Sequence, residues 1–270
     1  MFGEESVSRE MREVLAQSDA RTPRCLGAAF VFQFATSLSA GLLSTSILAG
    51  SITDVLVNIS SKPAEMRTTI VLELLTSVGI IVMTSLLYVV LRDQNRAVAL
   101  VALGLWMAEA VMLAVKTLGL YALVDVSAGY VDAGTPTASS YNTLGSLSLG
   151  VSQHAGDIGM LFFCLGALLW YPLLFQSRIV PRLLTLWGLV AVPLVLVATA
   201  LLVWDHSLDP SFALYAIYVP FELVLGLWLL IKGATVAPTH LDRASATGVL
   251  HGTRNDVGNA KEHHPHGSVG

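Results

Sequence analysis

Charge is scarce in this chain. Only 13% of its 270 residues are Asp, Glu, Lys or Arg, against 54% hydrophobic residues, and the mean hydropathy is +0.68. Ordinary soluble domains carry about 25% charged residues, so this composition excludes a water-soluble globular fold. Positive charge is the scarcer sign, with 15 Lys and Arg against 19 Asp and Glu. The net −4 leaves no basic patch suited to nucleic acid. Cysteine is down to two, Cys25 and Cys164, which match no metal or redox spacing and read as small packing residues. A phosphate-cradling Gly-rich loop, a Ser nucleophile elbow and a Cys/His pair are all missing. So is the apolar core of a cleavable signal peptide, because residues 1–24 mix four Arg with Glu4, Glu5, Glu10, Glu13 and Asp19. The first span is therefore expected to serve as its own insertion signal.

Long apolar runs are what the chain has instead. From Ala97 to Leu123 the sequence is almost continuously apolar and interrupted only by Glu109 and Lys116. That exceeds the roughly 20 residues a helix needs to cross a bilayer. Six such spans are expected, at about 25–50, 68–91, 97–123, 151–176, 183–203 and 212–231. The fold class is all-α: a polytopic six-helix bundle over residues 25–232, with a tail at 1–24 and a disordered polar tail at 233–270. Residues 5–18 suit a short amphipathic helix on the membrane surface, with Val7, Met11, Val14 and Leu15 on one face, or a frayed polar tail. Loops are expected between the first two spans and over the Gly-, Ser- and Thr-rich stretch that follows Leu123. The His263, His264, Pro265, His266 run reads as solvated tail.

Orientation follows from Lys and Arg. The two tails and the 92–96 and 177–182 turns hold 12 of the 15, while the opposite side has only Lys62 and Arg67. The positive-inside rule then puts both termini in the cytoplasm of a cell bounded by an inner (plasma) membrane.

With that topology, ionisable groups from four spans converge toward the outer half. Glu73, Lys116, His154, Asp157 and Glu222 fall roughly 5–15 Å below the outer surface, and Glu109 about 20 Å below it. An ionisable group inside a span costs about 2.5–3.5 kcal/mol, so each should face protein or water. Glu109 and Lys116 are two turns, about 10 Å, apart and lean in ways that make neither the other's natural partner, so both need groups from other helices. Four carboxylates against Lys116, with His154 as a second potential cation, require protonation, a bound cation or water. Three readings follow: a pocket that binds or passes a small solute or cation, a buried ion-pair network that fixes helix register, or a catalytic site. His154 and Asp157 stand at i, i+3, a spacing that supplies two ligands to a single divalent metal. With Glu73 or Glu222 they would form a water-activating site for an intramembrane lipid hydrolase. The partners expected are the lipid bilayer and a small-molecule or lipid ligand. On the first span Gln33, Ser37, Gly41 and Thr45 make a small and polar stripe, expected to let a neighbouring helix approach. Ser152, Gly159 and Gly166 make a similar ridge on the fourth.

Several segments resemble a bacterial membrane family known as domain of unknown function 4386. They are RCLGAAFVF, the Glu within LWMAEAVMLAVK, SRIVPRLLTLWGLV and PFELVLGLWLLIKG, and the resemblance covers about residues 21–233. It implies a short multi-helix membrane protein and no mechanism. Glu109, Arg182, Glu222 and His154 fall at positions that match the family's polar marks.

Overall fold

A computed structural model gives the fold. It describes residues 2–133, 138–205 and 213–232, with side chains over 22–132, 139–205 and 216–232. The side-chain face of residues 5–18, the tail 233–270 and its histidine run lie outside the described residues.

Seven helices make up those residues: α1 (Phe2–Ile47), α2 (Ile52–Ser61), α3 (Pro63–Leu91), α4 (Arg96–Ala133), α5 (Ala138–Ser177), α6 (Arg182–Trp204) and α7 (Ala213–Lys232). Five stretches are long and apolar enough to cross a membrane: Thr22–Ile47, Pro63–Leu91, Arg96–Asp132, Ser139–Ser177 and Arg182–Trp204. Their most apolar windows are only 28% to 50% buried, so most of that apolar surface points outward and needs lipid around it. The protein is all-helical and built for a membrane.

The six long helices form a ring. Each packs on the next in the order α1, α3, α4, α5, α6, α7, and α7 returns to α1. Small residues set the tightest approaches. A Cβ on Gly27 of α1 would strike the Leu229 and Leu230 backbone of α7, and one on Gly166 of α5 would strike the indole of Trp106 on α4. The ridge expected on the fourth span does lie against α4 at all three of its members, since Gly159 faces Met112 and Leu113 and Ser152 faces Gly119.

Two apolar clusters occupy opposite ends of the ring. The larger joins Leu26 and Phe30 of α1 and Leu87 and Leu91 of α3 to Trp106, Trp170, Phe221 and Leu229. The smaller joins Ile47, Met66, Ile70, Leu120 and Leu123 to Val55, Leu56 and Ile59 of α2. Along α3 and α4, Glu73 and Lys116 fall between these clusters and Glu109 borders the larger one.

Two expected loops are helices. The first contains α2, started by a capping box in which Ser51 and Asp54 bond each other's backbone and side chain. It stops at Lys62, because Pro63 cannot continue a helix and instead opens α3 at its first position. The 27-residue loop expected after Leu123 is absent too: α4 continues to Ala133 and α5 begins at Ala138. Composition favoured a loop, but tertiary contact overrides propensity here. Val124, Val126 and Tyr130 pack on the α2 cluster, and Ser127 Oγ donates to Leu56 O at 2.6 Å. Asn142 on α5 donates to Thr53 on α2 at 3.2 Å. At about 1.5 Å per residue, helices of 38 and 40 residues outrun a hydrocarbon layer of about 30 Å. The α4–α5 pair therefore projects from the bilayer with α2 against its side. The N-terminal segment is likewise continuous with the first span, because α1 runs from Phe2 through Pro23 to Ile47.

Candidate functional site

A cavity of about 300 Å³ lies in the ring between the two apolar clusters. Helix α3 brings Glu73 and Thr76 to it, α4 brings Glu109 and Lys116, and α7 brings Tyr218 and Glu222. Helix α1 contributes Gln33, Ser37, Gly41 and Ser44. The polar stripe expected to pack a neighbouring helix thus lines the cavity over its first three members, while Thr45 is exposed. An i, i+4 row of small polar residues fits either a close helix or a wet wall, and the spacing does not distinguish them.

Lys116 takes its partner from another helix, as its distance from Glu109 required. Its Nζ donates to Glu73 Oε1 at 2.6 Å, with the Glu73 side chain 9% exposed and that of Lys116 31% exposed. Glu109 is buried at 8% exposure, and its Oε2 has no hydrogen-bond partner among the described residues. The same holds for Gln33 Oε1, on a residue also 8% exposed. Among the described residues that line the cavity, Lys116 is the one cation, and Glu73 occupies it. The charges of Glu109 and Glu222 have no protein cation beside them there. On α7, Pro220 removes a backbone donor one turn after Ala216, leaving a carbonyl without its helical partner near the level of Glu222.

Apolar and aromatic side chains line the cavity as well. Phe163 lines the cavity, stacks on Trp106 at 5.8 Å and meets the edge of Tyr218 at 5.2 Å. Trp106 Nε1 donates to Phe163 O at 3.0 Å, which fixes that stack across the α4–α5 contact. The Tyr218 hydroxyl lies 2.8 Å from that of Tyr171, so the pair fixes the Tyr218 ring at the cavity edge. Sequence reasoning did not single out Phe163 or Tyr218, because an aromatic in an apolar run carries no mark of which way it faces.

A second cavity, of about 390 Å³, adjoins the first. It reaches Leu120 and Leu149 in the direction of α2 and is lined by Asp157. Both cavities share Ser44, Glu73, Lys116 and Gly156, so the ion pair stands in the partition between them. His154 is exposed and lines neither cavity. An i, i+3 step turns about 60° around a helix, and the boundary of the α5 interior face falls inside that step. Among the described residues no group of three or more His, Cys, Asp or Glu is placed to hold a metal ion.

Away from the cavities, Arg67 is exposed and Asp54 belongs to the α2 capping box. Hydrogen bonds from the Ser51 hydroxyl and backbone hold the Asp54 carboxyl below its ordinary range.

No curated protein and no solved structure matches this chain. A family model matches residues 25–233, from within α1 to the end of α7, and by that match the chain belongs to the family described as domain of unknown function (DUF4386).

Proposed function

We propose that the protein crosses the membrane six times, with α7 as the sixth span and both termini in the cytoplasm, and that the cavity binds and passes a small solute or cation. The carrying observation is Glu109: a buried carboxylate with an unpartnered oxygen, on a cavity whose cation is already paired. An uncompensated carboxylate in low dielectric is relieved by protonation, by water or by a cation from outside the chain, and passage of a cation coupled to protons uses that need. Asymmetry of Lys and Arg supports the orientation and the placement in an inner (plasma) membrane. The second cavity then serves as the outer vestibule, and the Glu73–Lys116 pair as the partition a solute passes. A lipid hydrolase built on His154 and Asp157 draws no support from a histidine outside both cavities. A purely structural network accounts for Glu73 and Lys116 but leaves Glu109 and Glu222 without a cation.

Proteoliposomes carrying the full chain test the reading. The expected result is a cation flux that depends on a pH gradient and disappears in Glu109→Gln and Glu222→Gln. Flux equal to that of empty vesicles overturns it. Labelling of single cysteines at Ser61 and Ser177 checks the topology, since opposite-side accessibility is expected for the two.

A further inference from the structure

A chamber for a bare metal ion and a chamber for an organic cation differ in their walls. A metal ion is held by four to eight donor atoms at about 2.0–2.6 Å, arranged all around it. Here the donors come from four helices and are interleaved with apolar side chains. Glu109, Glu222 and Gln33 supply oxygens, while Ile80, Leu113, Met160, Phe163 and Val195 offer nothing to a hydration shell. The volume of about 300 Å³ stands at the lower end of small-molecule pockets, which run from about 300 to 1,000 Å³. It also equals roughly ten liquid waters at about 30 Å³ each, far more than a dehydrated ion fills. A hydrated ion would fill that space but would press its water against apolar side chains.

An alkylated ammonium ion reverses each of these mismatches. Its charge is spread over methylene or methyl groups that have no lost hydration to recover from those side chains. Aromatic faces attract such a cation, and methionine adapts to its shape. Phe163 and Tyr218 form an edge-to-face corner held from behind by Trp106 and by the Tyr171 hydroxyl. Glu109 and Gln33 both line this space, and each carries a buried oxygen without a hydrogen-bond partner among the described residues.

We propose that the chamber is a site for an organic monocation, an alkyl- or quaternary ammonium. Its charge is set against Glu109 and Glu222, and its alkyl groups against Phe163, Tyr218 and Met160. This deepens the binding reading above and rests on it.

The test is calorimetric titration of the full chain in lipid nanodiscs with three probes at equal ionic strength. They are choline chloride, potassium chloride, and the uncharged choline analogue in which a tert-butyl carbon replaces the quaternary nitrogen. Choline is expected to bind at one per chain, at least about tenfold tighter than the uncharged analogue and without competition from potassium. Glu109→Gln and Glu222→Gln are each expected to weaken choline by about tenfold or more. Potassium binding as tightly as choline would overturn the organic class and leave the cation-binding reading intact. Equal binding of the uncharged analogue, or choline binding unchanged in both folded variants, would place the interaction elsewhere and overturn the proposal. Binding of neither cation removes this proposal and the reading beneath it together. The three probes on the unaltered chain decide the matter even if neither variant folds.

Discussion

Replacing Lys116 by Met takes away the cation 2.6 Å from Glu73 while leaving a side chain of similar length and apolar character. The carboxylate left behind has a side chain only 9% exposed, so water cannot replace what it loses. Breaking a fully buried pair from one side costs about 3–5 kcal/mol. Two features reduce that figure here. Lys116 is 31% exposed, so solvent already screens the pair, and interhelical polar contacts in membranes couple by only about 0.6–1.7 kcal/mol. We expect Lys116→Met to lose about 2 kcal/mol and Glu73→Gln about 1, since an unpaired Lys116 can reach the neighbouring cavity. The double variant should lose about 1.5 kcal/mol, because neither charge is then stranded. The coupling is thus about 1.5 kcal/mol, from 2 plus 1 less 1.5. Unfolding in a denaturing detergent, followed by tryptophan fluorescence, measures all four corners of the cycle. Additive losses would show that the pair contributes no coupling and would refute the account of its burial. The same double variant tests the partition, since joining the two cavities should raise flux in proteoliposomes without a pH gradient.

Glu109→Gln removes a charge that no protein cation compensates, so it should leave thermal stability unchanged or raise it slightly, by up to about 1 kcal/mol. A loss of stability in both this variant and Glu222→Gln would instead favour a purely structural network. Gly166→Ala directs a methyl group into the Trp106 indole, and overpacking of this kind costs about 1–3 kcal/mol. Unfolding in the same detergent assay checks it, and an unperturbed Gly166→Ala would mean the α4–α5 contact is looser than the structure has it. Asp54 makes the start of α2 sensitive to acid. Its carboxyl is held below 3.8, so its cap contribution is present above that pH and lost as pH falls through the lowered value. The protection of the Val55 and Leu56 amides against hydrogen exchange, taken relative to the intrinsic rate at each pH, should therefore fall in acid in the native chain, and Asp54→Asn should remove most of that acid sensitivity.

The spans were legible because their signal is length. A run that exceeds a bilayer crossing identifies itself whatever it packs against, and α3 and α6, two of the five membrane-length helices, begin and end within a few residues of the apolar runs. The ends of α4 and α5 were not legible, because Ser-, Thr- and Gly-rich sequence is neutral between loop and helix until α2 covers it. The α2 helix depends on the same reciprocity, with a ten-residue segment that would be marginal alone. Partner choice was legible in part. The two turns between Glu109 and Lys116, with Glu109 leaning away, required another helix for Lys116, but sequence could not say that the helix would be α3.

The cavity itself shows why charge alone was an incomplete guide. Titratable side chains in a span announce themselves, and four of the six, Glu73, Glu109, Lys116 and Glu222, line one space. His154 announced itself equally and lies outside it, because depth along a helix is readable from position but direction around the helix is set by packing. On α1 the expectation of close packing held in part: Gln33 lies against Gly79 of α3 and also lines the cavity, while Ser37 lines the cavity. What separates the two outcomes is volume. Glycine against a large neighbour closes a gap, as Gly166 does with Trp106. Gly41 has no neighbour within 4 Å of where its Cβ would stand, so the same residue type opens a space instead. Along α1, Gly27 meets the α7 backbone and Gly41 meets none, which places the change from closed to open between Phe30 and Gly41. The level at which the ring stops being filled is the level at which Glu109 and Glu222 enter it, and such space gives a buried carboxylate room for water or a counterion where packed side chains would leave it none.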